Sequence, residues 1–142
     1  MKWIYNDGGR SNYFKGSAND CVCRSIAIIN EMDYKEVYDL INSYIEKEPL
    51  DEKYINNARD GISKELSRKI LEDLGYEFHP TMKFGSGCTT HLKKDELPKG
   101  ILIVQVSKHL TSVIDGIIYD CFDPSRQGTR CVYGFWTKKQ ES

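Results

Sequence analysis

Apolar residues recur at the helical period through the first half of the chain and at the strand period through the second, with the change at Gly75. A first helix is predicted over residues 20–29, where Val22, Ile26 and Ile29 share one face. Ser17 or Asn19 can cap it, and Ser17 with Asp20 has the spacing of a capping box. Asp33 then caps a second helix, with Glu36 completing the box and Val37, Leu40, Ile41, Tyr44 and Ile45 forming its apolar stripe. Residues 46–60 are polar, with Pro49 and Asn56-Asn57, and read as a connection. A third helix starts near Ser63, carries Leu66, Ile70, Leu71 and Leu74 on one side, and stops at Gly75, which suits the left-handed position after a helix.

Beyond Gly75, Tyr76-Glu77-Phe78-His79 alternates, and Gly85-Ser86-Gly87-Cys88 interrupts as a loop. Ile101-Leu102-Ile103-Val104-Gln105-Val106 is almost continuously apolar and rich in β-branched residues, as in a central strand buried on both faces. His109 to Ile114 and Ile117 to Phe122 flank Asp115-Gly116, a dipeptide that favours a two-residue hairpin turn. Ser107-Lys108 is poor in turn chemistry, so the chain from Val106 to His109 reads as a bend or bulge in a longer strand. Residues 131–136 add a last strand, residues 137–142 a frayed tail, and residues 1–16 a loop-rich lead-in. The pattern predicts one α+β domain over residues 1–142, with N-terminal helices packed on a C-terminal antiparallel sheet and a cleft between the halves.

Composition narrows the function. With 39% hydrophobic residues the 142-residue chain can bury a core of its own. Its 20 basic and 21 acidic residues are interspersed, which predicts no nucleic-acid partner and no membrane partner. The first residues hold no apolar run of signal-peptide length, and five cysteines at irregular spacing argue for free thiols in the cytoplasm.

The candidate chemistry begins at Cys21, in the first turn of the first helix. There the unpaired N–H groups and the positive end of the helix dipole favour thiolate over thiol. If Asp115-Gly116 is the turn, Ile114 faces Ile117, and counting backwards sets Thr111 opposite Asp120 and His109 opposite Phe122. His109 and Asp120 then become diagonal neighbours on one face, and a carboxylate beside an imidazole fixes its tautomer and supports imidazolium. Asp123 falls on the other face unless the strand bulges or ends before it.

A helix opening on cysteine, further helices, and a sheet with His and then an acidic residue before Asp123-Pro124 resemble the papain-like cysteine peptidase fold over roughly residues 12–136. The Asp-Cys helix start and the His…Asp-Gly…Asp…Asp-Pro-Ser stretch are similar to those of small bacteriophage and bacterial proteins, closer to the bacteriocin-processing and transglutaminase-like branches than to papain. The resemblance implies a thiol hydrolase or acyl transferase acting on a peptide or protein. Cys21 would be its nucleophile, His109 its base, and Asp120 or Asp123 the acid that orients the ring. Where many relatives keep a Gln six residues before the nucleophile, this chain has Lys15, so the oxyanion donor falls to Asn12, Asn19 or the backbone N–H of Cys21.

Two other classes compete. Cys21, Cys23, Cys88 and His91 are soft ligands that suggest zinc. A Cys-x-Cys pair on a helix points its side chains apart, however, and the reading is no metal and no cofactor. A non-catalytic binder of the same fold would sequester a host protein or a small anionic ligand. The loop around Gly85, Ser86 and Gly87 would present N–H groups, with Lys83, His91 and Arg126 on the rim and Arg130 beside them.

Overall fold

The computed structural model describes residues 1–16, 18, 20–47, 62–82, 85 and 87–139. The expected caps Ser17 and Asn19, and most of the polar connection, lie outside the described residues. Three helices, α1 (Cys21–Asn30), α2 (Tyr34–Lys47) and α3 (Lys64–Asp73), precede most of a six-stranded mixed sheet. Its strands are β1 (Lys2–Tyr5), β2 (Tyr76–Pro80), β3 (Ile101–Val106), β4 (His109–Ile114), β5 (Ile117–Asp120) and β6 (Val132–Lys138), in the spatial order β1-β5-β4-β3-β6-β2. The class is α+β, as the change of period predicts.

One face of the sheet receives the helices. Val22, Cys23, Ile26, Ala27 and Ile29 of α1, Val37 and Ile41 of α2, and Leu66, Ile70 and Leu71 of α3 pack with Tyr76, Ile103, Leu110 and Trp136. The other face buries Leu102, Val104, Val106, Val113, Ile118 and Val132 under Leu92 and Leu97. The β3 strand is therefore buried on both faces, which is what its unbroken apolar run encodes. In α3, the Ser63 hydroxyl accepts from the Leu66 N–H at 3.2 Å, and Gly75 follows at φ 92°.

The hairpin register is the one counted from the sequence: Ile114 pairs Ile117, Val113 pairs Ile118 and Ser112 pairs Tyr119. Asp115 (φ 49°) and Gly116 (φ 79°) both adopt the left-handed backbone that such a two-residue turn needs. Ser107-Lys108 corrects its expectation. Val106 pairs His109 directly, so these two residues form a tight turn, with Lys108 at φ 57°. The irregularity lies on the other side of β3, where the register against β6 shifts between Gln105 and Val106.

Three further expectations are corrected. The lead-in is not all loop, because β1 pairs in parallel with β5, so the sheet is mixed rather than antiparallel. The tail begins later than expected, since Thr137 and Lys138 pair with Glu77 and Tyr76 of β2. The thiols are not all free either: Cys88 and Cys131 form a disulfide, leaving Cys21, Cys23 and Cys121. No helix among the described residues is long and apolar enough to cross a membrane.

Candidate active site

The α1 helix lies along β4. Ser25 Oγ donates to the Leu110 carbonyl at 3.3 Å, and Ser112 Oγ donates to the Ser25 carbonyl at 3.4 Å. The loop before α1 packs as closely from another side, since a Cβ on Gly8 would stand 3.1 Å from the Arg24 carbonyl oxygen, and Gly8 sits at φ 71°. Only glycine meets both demands. One turn before Ser25, Cys21 then falls beside the first residues of β4.

His109 is the first residue of β4, so its ring stands at the end of the strand, where it meets the N-terminus of α1. Its Nε2 is 2.7 Å from Asp120 Oδ2, which leaves Nδ1 for the thiol. Asp120 is buried and fully engaged: Oδ2 also accepts from Thr111 Oγ1 at 2.7 Å, and Oδ1 accepts from the Cys121 N–H at 2.7 Å. Burial alone would raise the Asp120 pKa, but the hydrogen bonds from His109, Thr111 and the Cys121 N–H outweigh it and hold the carboxyl below its ordinary range. Burial likewise opposes a charged His109, and the hydrogen bonds to Asp120 and Cys21 overcome it, pushing the ring up to about 9. Burial also favours a neutral Cys21. The neighbouring His109 ring, the Leu110 N–H and the Arg24 charge prevail, and the thiol pKa is lowered. Both shifts favour thiolate and imidazolium over thiol and neutral imidazole.

Cys23 shows the contrast. Two residues along the same helix it is fully buried against the Tyr34 carbonyl, and burial pushes its thiol up to about 12. Cys121 is also raised, by burial first.

Beneath the pair lies a buried network that the sequence reading missed. Asp20 is the N-cap of α1, yet its carboxylate makes no capping bond. It is instead bound by Arg24 and by the Tyr34 hydroxyl, with Arg10 at 3.7 Å. Arg24 also reaches Asp120 Oδ1 at 3.4 Å, so one guanidinium joins the helix start to the acid behind His109. The available signal was Asp20 and Arg24 at the i, i+4 spacing of a helical ion pair. Because Asp20 makes no capping bond, no described side chain is seen on the first-turn N–H groups of α1, which are the donors a helix start offers to an anion.

The remaining predicted residues divide. Asp123 is exposed, and its Oδ1 accepts from the Ser125 N–H at 3.0 Å in a local turn, so the ring's partner is Asp120. Asn12 is exposed in a 3-10 turn and does not line the cavities that contain Cys21. Asn19, Lys83 and Ser86 lie outside the described residues. Gly85 and Gly87 are exposed. His91 bridges to Cys131 and bonds Glu96 at 3.2 Å, so it belongs to the disulfide region rather than to the cleft. Arg126 does line a cavity with Cys21 and His109, together with Lys108, Phe122 and Arg130. Cys88 is tied up in the disulfide, and no group of three or more metal-ligating side chains stands together among the described residues. No protein-family model, curated protein or solved structure matches this chain.

Proposed function

We propose that this protein is a papain-like thiol hydrolase or acyl transferase acting on a peptide or protein, phage-encoded and working in the host cytoplasm. The observation that carries the reading is Cys21 at the first turn of α1 beside His109, with the far nitrogen of that ring held by a buried Asp120 at 2.7 Å. In the reaction, the Cys21 thiolate attacks an acyl carbon while the first-turn N–H groups of α1 stabilise the oxyanion. The imidazolium gives its proton to the departing amine, and a thioester remains. Water or a second amine then attacks the thioester, His109 takes the proton of that nucleophile, and Cys21 leaves as thiolate.

Labelling with iodoacetamide followed by peptide mapping tests this without a known substrate. Near pH 7 Cys21 should alkylate faster than Cys121 and far faster than buried Cys23, and His109→Ala should slow Cys21 by about tenfold or more. Equal rates at Cys21 and Cys121, or no effect of His109→Ala, would refute an activated nucleophile. The basic lining beside Cys21 supports a second reading, a non-catalytic binder of a small anion. A ligand held equally well by the parent and by His109→Ala, with no accelerated alkylation, would favour it.

A further inference from the structure

Two cavities meet at Cys21 and His109, and they differ in character. One, of about 240 Å³, is walled mainly by Val22, Ile62, Val106 and Leu110, with Lys64, Ser67 and Gln105 also in its lining and Lys108 shared with the second cavity. The other, of about 630 Å³, gathers Lys108, Arg126 and Arg130 around the reacting pair, with Phe122 beside them and no Asp or Glu among the described residues that line it. In a chain with 20 basic and 21 acidic residues, three cations with no carboxylate among the described lining residues form a local field.

Among the described residues Lys108 and Arg126 make no ion pair, whereas Arg24 at the base of the cavity is already bound by Asp20 and Asp120. Lys108 at φ 57° and Arg126 at φ 51° also occupy left-handed backbone positions, where glycine or asparagine would fit with less strain. The backbone therefore does not explain why a lysine and an arginine stand there. Arg130 is set by its Nη2, which donates to the Ser107 carbonyl at 2.5 Å, and burial together with nearby Arg126 lowers its pKa.

We infer that the site takes an acyl substrate bearing an anionic group, as on an acidic peptide, which lies beside Lys108 and Arg126 when the acyl carbon meets Cys21. The uncharged part of the substrate then runs toward Ile62 and Leu110. This rests on the thiolate reading above and adds the class of substrate to it. The imidazolium itself adds positive charge, so the rim must be separated from the ring.

Iodoacetate and iodoacetamide separate them, because both transfer a two-carbon group to sulfur with loss of iodide and they differ in the carboxylate. The ratio of their rates at Cys21 should exceed that of free cysteine by about tenfold or more. It should fall about tenfold in Lys108→Asn/Arg126→Asn, in which asparagine keeps the left-handed backbone, and on the unaltered chain it should fall as salt is raised. An unchanged ratio in the double variant, or a salt-independent ratio in the parent, would overturn the anionic substrate while leaving the thiolate intact. Iodoacetamide labelling of Cys21 no faster than that of Cys121 would instead bring down the thiolate reading, and this proposal with it.

Discussion

Replacing Cys21 by Ser should change how stability depends on pH, in a direction fixed by the coupling of the pair. His109 is raised from 6.5 to about 9, by Asp120 and then by Cys21 against the cost of burial. A raised base stabilises the folded state fully below its unfolded value, and that contribution is lost as pH climbs from 6.5 through about 9. The size of the His109 contribution is at most about 3 kcal/mol, taking roughly 1.4 kcal/mol for each pH unit. Cys21 works the other way: its thiol is lowered from 9.0, so its contribution grows as pH rises from the lowered value toward 9.0. Where both windows overlap, the folded pair holds one proton as thiolate and imidazolium, and the unfolded pair holds one as thiol and neutral imidazole. The protons balance, and the pair adds no slope there. Cys21→Ser removes the rising contribution and keeps the part of the falling one that Asp120 supplies. Urea unfolding of the parent and of Cys21→Ser between pH 6.5 and 9 should therefore give a difference that tilts against the variant, by about 1–3 kcal/mol over the window. Groups such as Cys121 and the tyrosines are common to both proteins and drop out of the difference. Parallel profiles would refute a proton shared between Cys21 and His109.

Arg24→Leu removes the buried cation shared by Asp20, which keeps Tyr34 and Arg10, and Asp120, which keeps His109 and Thr111, and should cost about 2–3 kcal/mol in urea unfolding. Gly134→Ala would set a methyl 2.2 Å from the Phe78 ring and should cost about 1–3 kcal/mol, read as a lower unfolding midpoint. Reducing the Cys88–Cys131 disulfide, which closes a separation of 43 residues, should destabilise by roughly 2–4 kcal/mol and lower the thermal midpoint, with two further thiols appearing on titration.

What the sequence made legible is local or counted from something local. The Asp115-Gly116 turn pins one pair, and every pair back to His109 follows from the period of two, which is how a His–Asp contact across the hairpin could be read before any coordinates. The helices were legible for the same reason, each being a stripe at a fixed spacing. The β1 strand was not: all four of its residues are exposed, it is an edge strand, and its parallel partner lies more than a hundred residues away. The Cys88–Cys131 pair was hidden because an odd count of cysteines at irregular spacing carries no pairing rule. On the basic side of the cleft, Arg126 and Arg130 were legible together because one turn carries both, whereas Lys108 was not, since it comes from the β3–β4 turn and meets them only in the fold.

The buried network explains how a thiol from the helical half and an imidazole from the sheet half hold a common geometry. Asp120 is fixed from both ends of the residue: its carbonyl accepts from Trp3 Nε1 at 2.9 Å and from the Asn6 N–H at 3.0 Å, while its carboxylate takes His109, Thr111, Arg24 and the Cys121 N–H. The exposed strand β1 and the chain that follows it thereby hold the acid in place, and the acid holds the ring. From the helix side, Asp20 gives up capping α1 in order to hold Arg24, which reaches across to the same acid. One choice at position 20 thus keeps the Asp20 carboxylate off the first-turn N–H groups and ties the Cys21 turn to the carboxylate that holds His109. Such a saturated carboxylate has little freedom to rotate, and the ring it holds is kept aimed at Cys21.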